Sequence, residues 1–361
     1  MVEEYKYLHI FSDAPYTHKF IHFIKEYFDE KEHCFIILYS NENSKFLAFY
    51  KTQENCTLTK SKNIYLDNKA VFKEASQILI HQLNKPTMMA TLSLFYPSVF
   101  KKMVWVIWGG DVYFYKYKTN SLKDNLLELL RKYTIKRFPV IVSYIKGDYE
   151  KVVEIYHSNA KYIKAWYPSP IDVEMIKKVT LREKRDNIIR ITVGNSADPS
   201  NDHIEAFNML EKYKNEDIEV SAVLSYGGGK EYIEQVIQRG KELFADKFKP
   251  ILEYMSFENY LDFINQSDIC LLNHKRQQGL GNQLVFFILK KKVFISETTT
   301  PFKYYKENGV DIYSTESLVD MSFEDFVFQK KELKNRNREV ILNDNDKNIL
   351  KEDWNRVFKC S

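Results

Sequence analysis

Apolar residues along this chain fall into short runs, each closed by a polar turn and followed by a stretch with helical spacing. In the N-terminal half the runs at 6–11, 33–39, 63–67, 78–83, 104–111 and 139–145 read as six strands. Residues 20–28 and the segment around 88–95 read as helices between them. Strands separated by helical patterns predict a parallel sheet with helices on both faces. The segment 167–172, YPSPID, carries two prolines and reads as a linker. Beyond it the pattern starts afresh. Runs at 188–194, 218–229, 250–255, 268–274 and 293–296 read as strands, and 231–244 and 257–266 as helices. RQQGLGNQLVFFILKK reads as a turn entering a helix. The expected division is a domain at 1–168, a linker at 169–186 and a second domain at 187–325. A C-terminal helical segment, 326–361, is expected to pack back on the first domain.

With 361 residues, 44% hydrophobic and 28% charged, the chain has material for two ordinary cores. Disordered and collagen-like architectures are excluded. The four cysteines form no close pair, so neither a disulfide framework nor a cysteine zinc site is readable. A reducing compartment is expected. No run reaches the roughly 20 apolar residues that crossing a bilayer requires. The N-terminus is acidic before it is apolar, which does not resemble a signal peptide. The expectation is a cytosolic chain that can still touch a membrane surface.

The net charge of +4 is unevenly spread. Residues 1–180 hold 26 Lys+Arg against 19 Asp+Glu, or +7, which leaves 27 against 30, or −3, for the remainder. Ten basic and three acidic residues lie within 101–146, interleaved with Tyr and Phe. Such a mixture suits an anionic leaflet. It would also suit nucleic acid, or form an ordinary solvated face.

Ligands of open parallel sheets bind where strand ends turn into helices. The second half has four polar turns of that kind: GNSADPSN from Gly194, SYGGGKE through Tyr226 and Gly227, Glu253-Tyr254, and HKRQQGLGN through Arg276. Glycines let a backbone approach a ligand, helix N-termini offer free N–H groups to anions, and Arg276 adds a guanidinium fork. Together they suggest a nucleotide diphosphate. Neither the P-loop nor the G-x-G-x-x-G fingerprint is present, and no His or Asp spacing suggests a metal. No cofactor and no metal are expected. Arg276, helix dipoles and N–H groups would then stabilise a leaving diphosphate.

WVIWGGDVY (105–113), VGNSADPSNDH (193–203), YGGGKEYIEQV and RQQGLG (276–281) closely resemble the bacterial TDP-N-acetylfucosamine:lipid II N-acetylfucosaminyltransferase family. The resemblance runs from the SDAP turn to Ile295. It implies an α/β fold of the GT-B class, with two Rossmann-like doubly wound domains facing a central cleft. It implies a nucleotide-diphosphate sugar donor held by the C-terminal domain and a polyprenyl-diphosphate-linked acceptor met by the N-terminal domain. The implied setting is surface polysaccharide synthesis at the cytoplasmic face of the bacterial inner membrane, with peripheral attachment to an anionic membrane surface and no nucleic acid partner. Three positions depart from the family pattern: Val106 stands for His, Asn282 for Thr and Gln82 for Gly.

On this reading Gly194, Asn195, Ser196, Tyr226, Gly227, Glu253, Tyr254, Arg276, Gln277, Gln278, Gly279, Gly281 and Asn282 bind the donor. Glu253 would meet a ribose or base edge, and Tyr254 would stack on the base. His81, Trp108, Gly109 and Gly110 lie on the acceptor side. Asp13, in the turn after the first strand, is the first candidate for general base, and Asp111 the second. Each also has a structural reading: Asp13 as the cap of a helix starting near His18, Asp111 as a turn closure, and His81 and Trp108 as core. A nucleotide-sugar epimerase and a non-catalytic sugar-nucleotide-binding protein are the rival functions.

Overall fold

Two parallel sheets organise the chain, each with its own cores. The computed structural model describes residues 5–83, 85–168, 171–184 and 186–360. The chain divides into one unit of Met1–Pro170 with Asp346–Ser361, and a second of Ile171–Asn345.

The first unit holds β1 (Tyr7–Ser12), β2 (His33–Leu38), β3 (Cys56–Thr59), β4 (Gln77–His81), β5 (Met103–Val106), β6 (Val140–Ser143) and β7 (Lys161–Lys164). Their order is β3-β2-β1-β4-β5-β6-β7, all parallel. The inner strands are largely apolar because helices cover both faces, with His9, Gln77 and His81 as buried polar exceptions on β1 and β4. Leu8, Ile10, Ile36, Ile78, Ile80 and Trp105 point into one core. Tyr7, Phe11, Phe35, Leu79 and Val104 point into the other, under Phe20 and Trp354. Burying a side chain such as Phe20 contributes roughly 1.5–3 kcal/mol.

The second unit holds β8 (Ile189–Val193), β9 (Ile218–Val223), β10 (Phe248–Ile251), β11 (Ile269–Leu272), β12 (Lys292–Ile295) and β13 (Tyr313–Ser314), in the order β10-β9-β8-β11-β12-β13. In each sheet the direction of winding reverses once, between β1 and β4 and between β8 and β11. At such a reversal the two connections leave in opposite directions and open a crevice at the strand C-termini.

Several expected elements need correction. The run 63–67 is not a strand but the short helix Ile64–Asp67, and the strand of that region is β3. Both β3 and β7 escape the sequence pattern because they are short, partly polar edge strands. The expected fifth strand is shorter: β5 ends at Val106, and Asp111 lies beyond a turn in which Gly109 adopts φ +64°. Residues 293–296 do not form the last strand, since β13 follows them.

The expected C-terminal segment divides. The Lys331–Asp344 helix belongs to the second unit, where Arg338 Nη1 donates to the Ile288 carbonyl at 2.9 Å. Only the Lys347–Phe358 helix docks on the first unit. There Trp354 Nε1 donates to Trp166 O at 2.8 Å, and Val357 O accepts from Gln77 Nε2 at 3.0 Å. Of the expected linker 169–186, residues 169, 170 and 185 lie outside the described residues. Its other residues fall in the second unit, with Asp172 capping the Val173–Lys177 helix through the Met175 N–H.

Candidate active-site loops

All four polar turns of the second unit follow strand C-termini on one edge of its sheet, after β8, β9, β10 and β11. The loops after β8 and β11, at the reversal, are stitched together. Arg276 Nη2 donates to Asp198 Oδ2 at 3.2 Å, and Ser200 Oγ, whose proton goes to Asp198 Oδ1, lies 2.8 Å from the Gln278 side-chain amide. Burial pushes the Asp198 carboxyl up, but the Ser200 hydroxyl and N–H and then Arg276 outweigh it and hold it below its ordinary value. Asn201, fully buried, is the hub of the first loop. Its Oδ1 accepts from the Asn195 N–H at 2.9 Å and pairs with His274 Nε2 at 3.1 Å, and its Nδ2 donates to Ser196 Oγ at 3.1 Å.

Glycine is required at Gly279. Its φ is +66°, and a Cβ there would lie 2.8 Å from Asn195 Oδ1. Gly194 is held in the same way beneath His203, at φ +68°. Gly281 and Asn282 form the first turn of the Leu280–Ile288 helix, and Gln277 contributes its carbonyl to Arg276 Nη1. Gly227 turns at φ +87° over Ser196. Tyr226 receives a 3.4 Å hydrogen bond from Asn195 Nδ2, and its ring stands 6.4 Å from that of the exposed Tyr254. Glu253 is exposed beside it.

Around these loops Asn195 Oδ1, His203 Nε2, Gln278 Nε2 and Gln283 Oε1 are buried without a partner. Buried polar atoms are ordinarily satisfied, so this group stands out and makes these loops the candidate for a polar ligand. Burial pushes the imidazoles of His203 and His274 down to about 4 and about 3, so both stand neutral. Asp198, Ser200, Asn201, His203 and His274 were not singled out from the sequence. The dense Asp/Ser/Asn run of 195–203 was the available signal.

In the first unit Asp13 follows β1, its N–H bonded to the Leu38 carbonyl at 2.8 Å. It lines a cavity of about 690 Å³ with Ser12, Asn41, Lys45, Lys60 and Lys85. The helix it precedes starts at Pro15 rather than near His18, is N-capped by Ala14, and has no side-chain cap. Asp13 is therefore no helix cap, and its Oδ1 is buried without a partner.

Asp111 is differently committed. Its carboxylate accepts from the Leu83 N–H at 3.0 Å, Trp105 Nε1 at 2.9 Å and the Trp108 N–H at 3.1 Å, while Arg131 donates to its backbone carbonyl. Burial pushes its carboxyl up, against the pull of those donors and of Arg131. This is the geometry of a clamp that closes the Trp108-Gly109-Gly110 turn. Trp108 is half-buried against Tyr16 and Tyr167. His81 is buried, bonded to Tyr167 and, at 3.0 Å, to His9.

Among the described residues no helix is long and apolar enough to cross a membrane. The Leu122–Ile135 helix nevertheless presents Leu122, Leu126 and Leu129 outward, 90%, 58% and 63% exposed. Spacings of four and three residues put them on one side, opposite the buried Glu128, Arg131, Thr134 and Ile135. Lys123, Lys132, Lys136 and Arg137 are exposed along the same helix and its C-terminal end. The Pro86–Phe95 helix packs along it and exposes Leu94 and Phe95.

The sequence model of the family described as 4-alpha-L-fucosyltransferase, glycosyl transferase group 56, matches residues 17–349. The match begins after Asp13 and extends beyond Ile295. Among solved structures, a glycosyltransferase from Rickettsia africae is 13% identical, with a TM-score of 0.67, covering 99% of this chain and 98% of that one. A UDP-forming trehalose-phosphate synthase from Burkholderia xenovorans is 10% identical, with a TM-score of 0.67 and 99% of each chain covered. A co-structure of S. aureus MnaA with UDP is 14% identical at TM-score 0.54, covering 96% and 94%. At these identities the likeness is one of fold, and the fold is the α/β GT-B class.

Proposed function

This chain belongs to the 4-alpha-L-fucosyltransferase family, glycosyltransferase group 56, and we propose that it moves an N-acetylfucosamine-like sugar from a TDP-sugar or other nucleotide-diphosphate sugar to a polyprenyl-diphosphate-linked glycan. The observation that carries the lipid-linked acceptor is the outward leucine row on the Leu122–Ile135 helix. A solvated face would bury those leucines or replace them. An apolar row accompanied by Lys and Arg suits a helix lying in an anionic headgroup layer. On this reading the protein is peripheral to the inner leaflet, where the reactive end of a lipid-linked acceptor resides.

The donor diphosphate lies against the Arg276–Gly279 turn and the start of the Leu280–Ile288 helix, where N–H groups and the guanidinium receive its charge. Tyr254 and Tyr226 bracket the base. As the sugar leaves, Arg276 and the helix terminus stabilise the diphosphate without a metal ion. Asp13, with its unpartnered oxygen on a polar cavity, takes the acceptor hydroxyl proton if configuration is inverted. Asp111 holds the Trp108 turn in place.

The test is a transfer assay with labelled nucleotide sugars, chosen first by thermal shift, and a polyprenyl-diphosphate glycan in anionic vesicles. Label appearing in the lipid phase, undiminished by EDTA, is expected. Interconversion of the nucleotide sugar with no lipid product would favour the epimerase.

A further inference from the structure

Across the first unit's sheet four polar side chains form a continuous line inside an otherwise aromatic core. The Tyr167 hydroxyl bonds His81 Nδ1, His81 Nε2 lies 3.0 Å from His9 Nδ1, and His9 Nε2 lies 2.9 Å from His33 Nδ1. All four are at least nine-tenths buried. The line starts at the C-terminal edge, where Tyr167 packs under the half-buried Trp108 and Tyr16. It ends at His33, the first residue of β2, on the opposite edge. Phe11, Phe20, Phe35, Trp354 and Phe358 enclose it. The charged groups acting on it are Asp29 and Lys6 at the His33 end and Asp111 at the Tyr167 end.

His81 and His9 each use Nδ1 toward Tyr167 and Nε2 toward His33, and His33 meets His9 through Nδ1. A neutral imidazole has one N–H and one bare nitrogen, so the line admits two complete proton orderings. In one, Tyr167 donates to His81, His81 to His9 and His9 to His33. In the other every donor and acceptor is exchanged. Core packing alone would favour Phe or Leu at these positions and would not align three rings in one sense.

We propose that Tyr167, His81, His9 and His33 form a proton relay that carries the proton released by sugar transfer from the catalytic edge of the sheet to water at the other edge. This rests on the transferase reading above. In the transfer the acceptor O–H bond breaks, the glycosidic C–O bond forms, and the nucleoside diphosphate leaves with its electron pair. The proton taken up by Asp13 reaches the Tyr167 oxygen through solvent at the C-terminal edge of the sheet, as the Tyr167 proton passes to His81 Nδ1. The Nε2 proton of His81 passes to His9 Nδ1, that of His9 to His33 Nδ1, and that of His33 to water. Every member ends neutral, as a core that disfavours imidazolium requires, with the line in its exchanged ordering, and the rings reorient to restore the first ordering before the next turnover. The four are relay and positioning residues; none is assigned contact with the sugar.

The decisive experiment uses the full chain with ¹⁵N-labelled histidine, in nuclear magnetic resonance without substrate. Exchange between the two orderings averages the Nδ1 and Nε2 signals of His9 and His81, and His9→Phe removes that averaging at His81. A single fixed tautomer at both residues in the wild type overturns the relay, whatever the substrates prove to be. In turnover, His9→Phe with native melting behaviour and donor affinity should lower kcat at least tenfold. It should also change a multi-proton solvent isotope effect into a single-proton one. Unchanged kcat and isotope effect in the folded variant overturn it equally. If His9→Phe does not fold, the wild-type spectrum decides alone.

Discussion

Arg276 Nη2 and Asp198 Oδ2 stand 3.2 Å apart, so the guanidinium assigned to the donor diphosphate is already paired with a carboxylate from the neighbouring loop. The pair orients Arg276 and also competes for it. Arg276→Ala should weaken nucleoside-diphosphate binding by roughly 1.5–3 kcal/mol, the range for a hydrogen bond to a charged group. Asp198→Asn removes the competing charge and should tighten the same ligand. Calorimetry on both variants checks this, and equal affinities throughout would remove Arg276 from the site.

Asp13 leaves one carboxylate oxygen buried and unpartnered on a polar cavity, whereas Asp111 is held by three donors. Asp13→Asn should cut turnover by about 10²–10⁴ with donor affinity kept. Asp111→Asn should show its effect first in melting temperature, because it leaves a buried clamp short of acceptors. The reverse pattern in these two measurements would exchange their roles.

The leucine row and its neighbouring cations can be separated. Leu126→Asp with Leu129→Asp should abolish vesicle binding at any salt. Lys132→Glu, Lys136→Glu and Arg137→Glu should weaken it mainly at low salt, since exposed charges are screened over about 8 Å at physiological ionic strength. Co-sedimentation with anionic and neutral vesicles reads both. Equal binding of all forms would leave the row as plain surface.

Gln82 occupies the left-handed region at φ +74°, a conformation that favours Gly. A non-glycine residue there costs about 1–2 kcal/mol, and glycine returns roughly 0.5–1 kcal/mol of that through the unfolded chain. Gln82→Gly should therefore stabilise the protein by about 0.5–1 kcal/mol, less whatever the Gln82 side chain contributes. Chemical denaturation measures it; destabilisation would mean that the side-chain contact outweighs the strain.

Five histidines, His9, His33, His81, His203 and His274, are buried, and burial lowers the folded value of each below its ordinary 6.5. Below about pH 6.5 the unfolded chain binds these protons first, so stability falls as pH falls toward the folded values. Those values are about 3 for His33 and His274 and about 4 for His203. Each group costs up to about 1.4 kcal/mol per pH unit in that window. Asp111 and Glu128, both raised by burial, act in the opposite sense but are two groups against five. Melting temperature should drop steadily from pH 7 to 5.5, and a flat profile would contradict the buried neutral rings.

The alternation of apolar runs and polar turns determined by itself that the chain forms two parallel-sheet units, because inner strands covered on both faces must be largely apolar. It also placed the four polar turns of the second unit at strand ends, since a strand end followed by Gly, Asn and Ser has few other solutions. Edge strands such as β3 and β7 carried too little apolar signal to be read, and 63–67 is apolar enough for either element. What only the tertiary structure decided depends on residues far apart in sequence. Asp198 meets Arg276, Asp111 is clamped while Asp13 is not, and His9, His33, His81 and Tyr167 come into line. Each of these depends on the register of parallel neighbours or on loops meeting at a reversal of winding, and no local pattern encodes that.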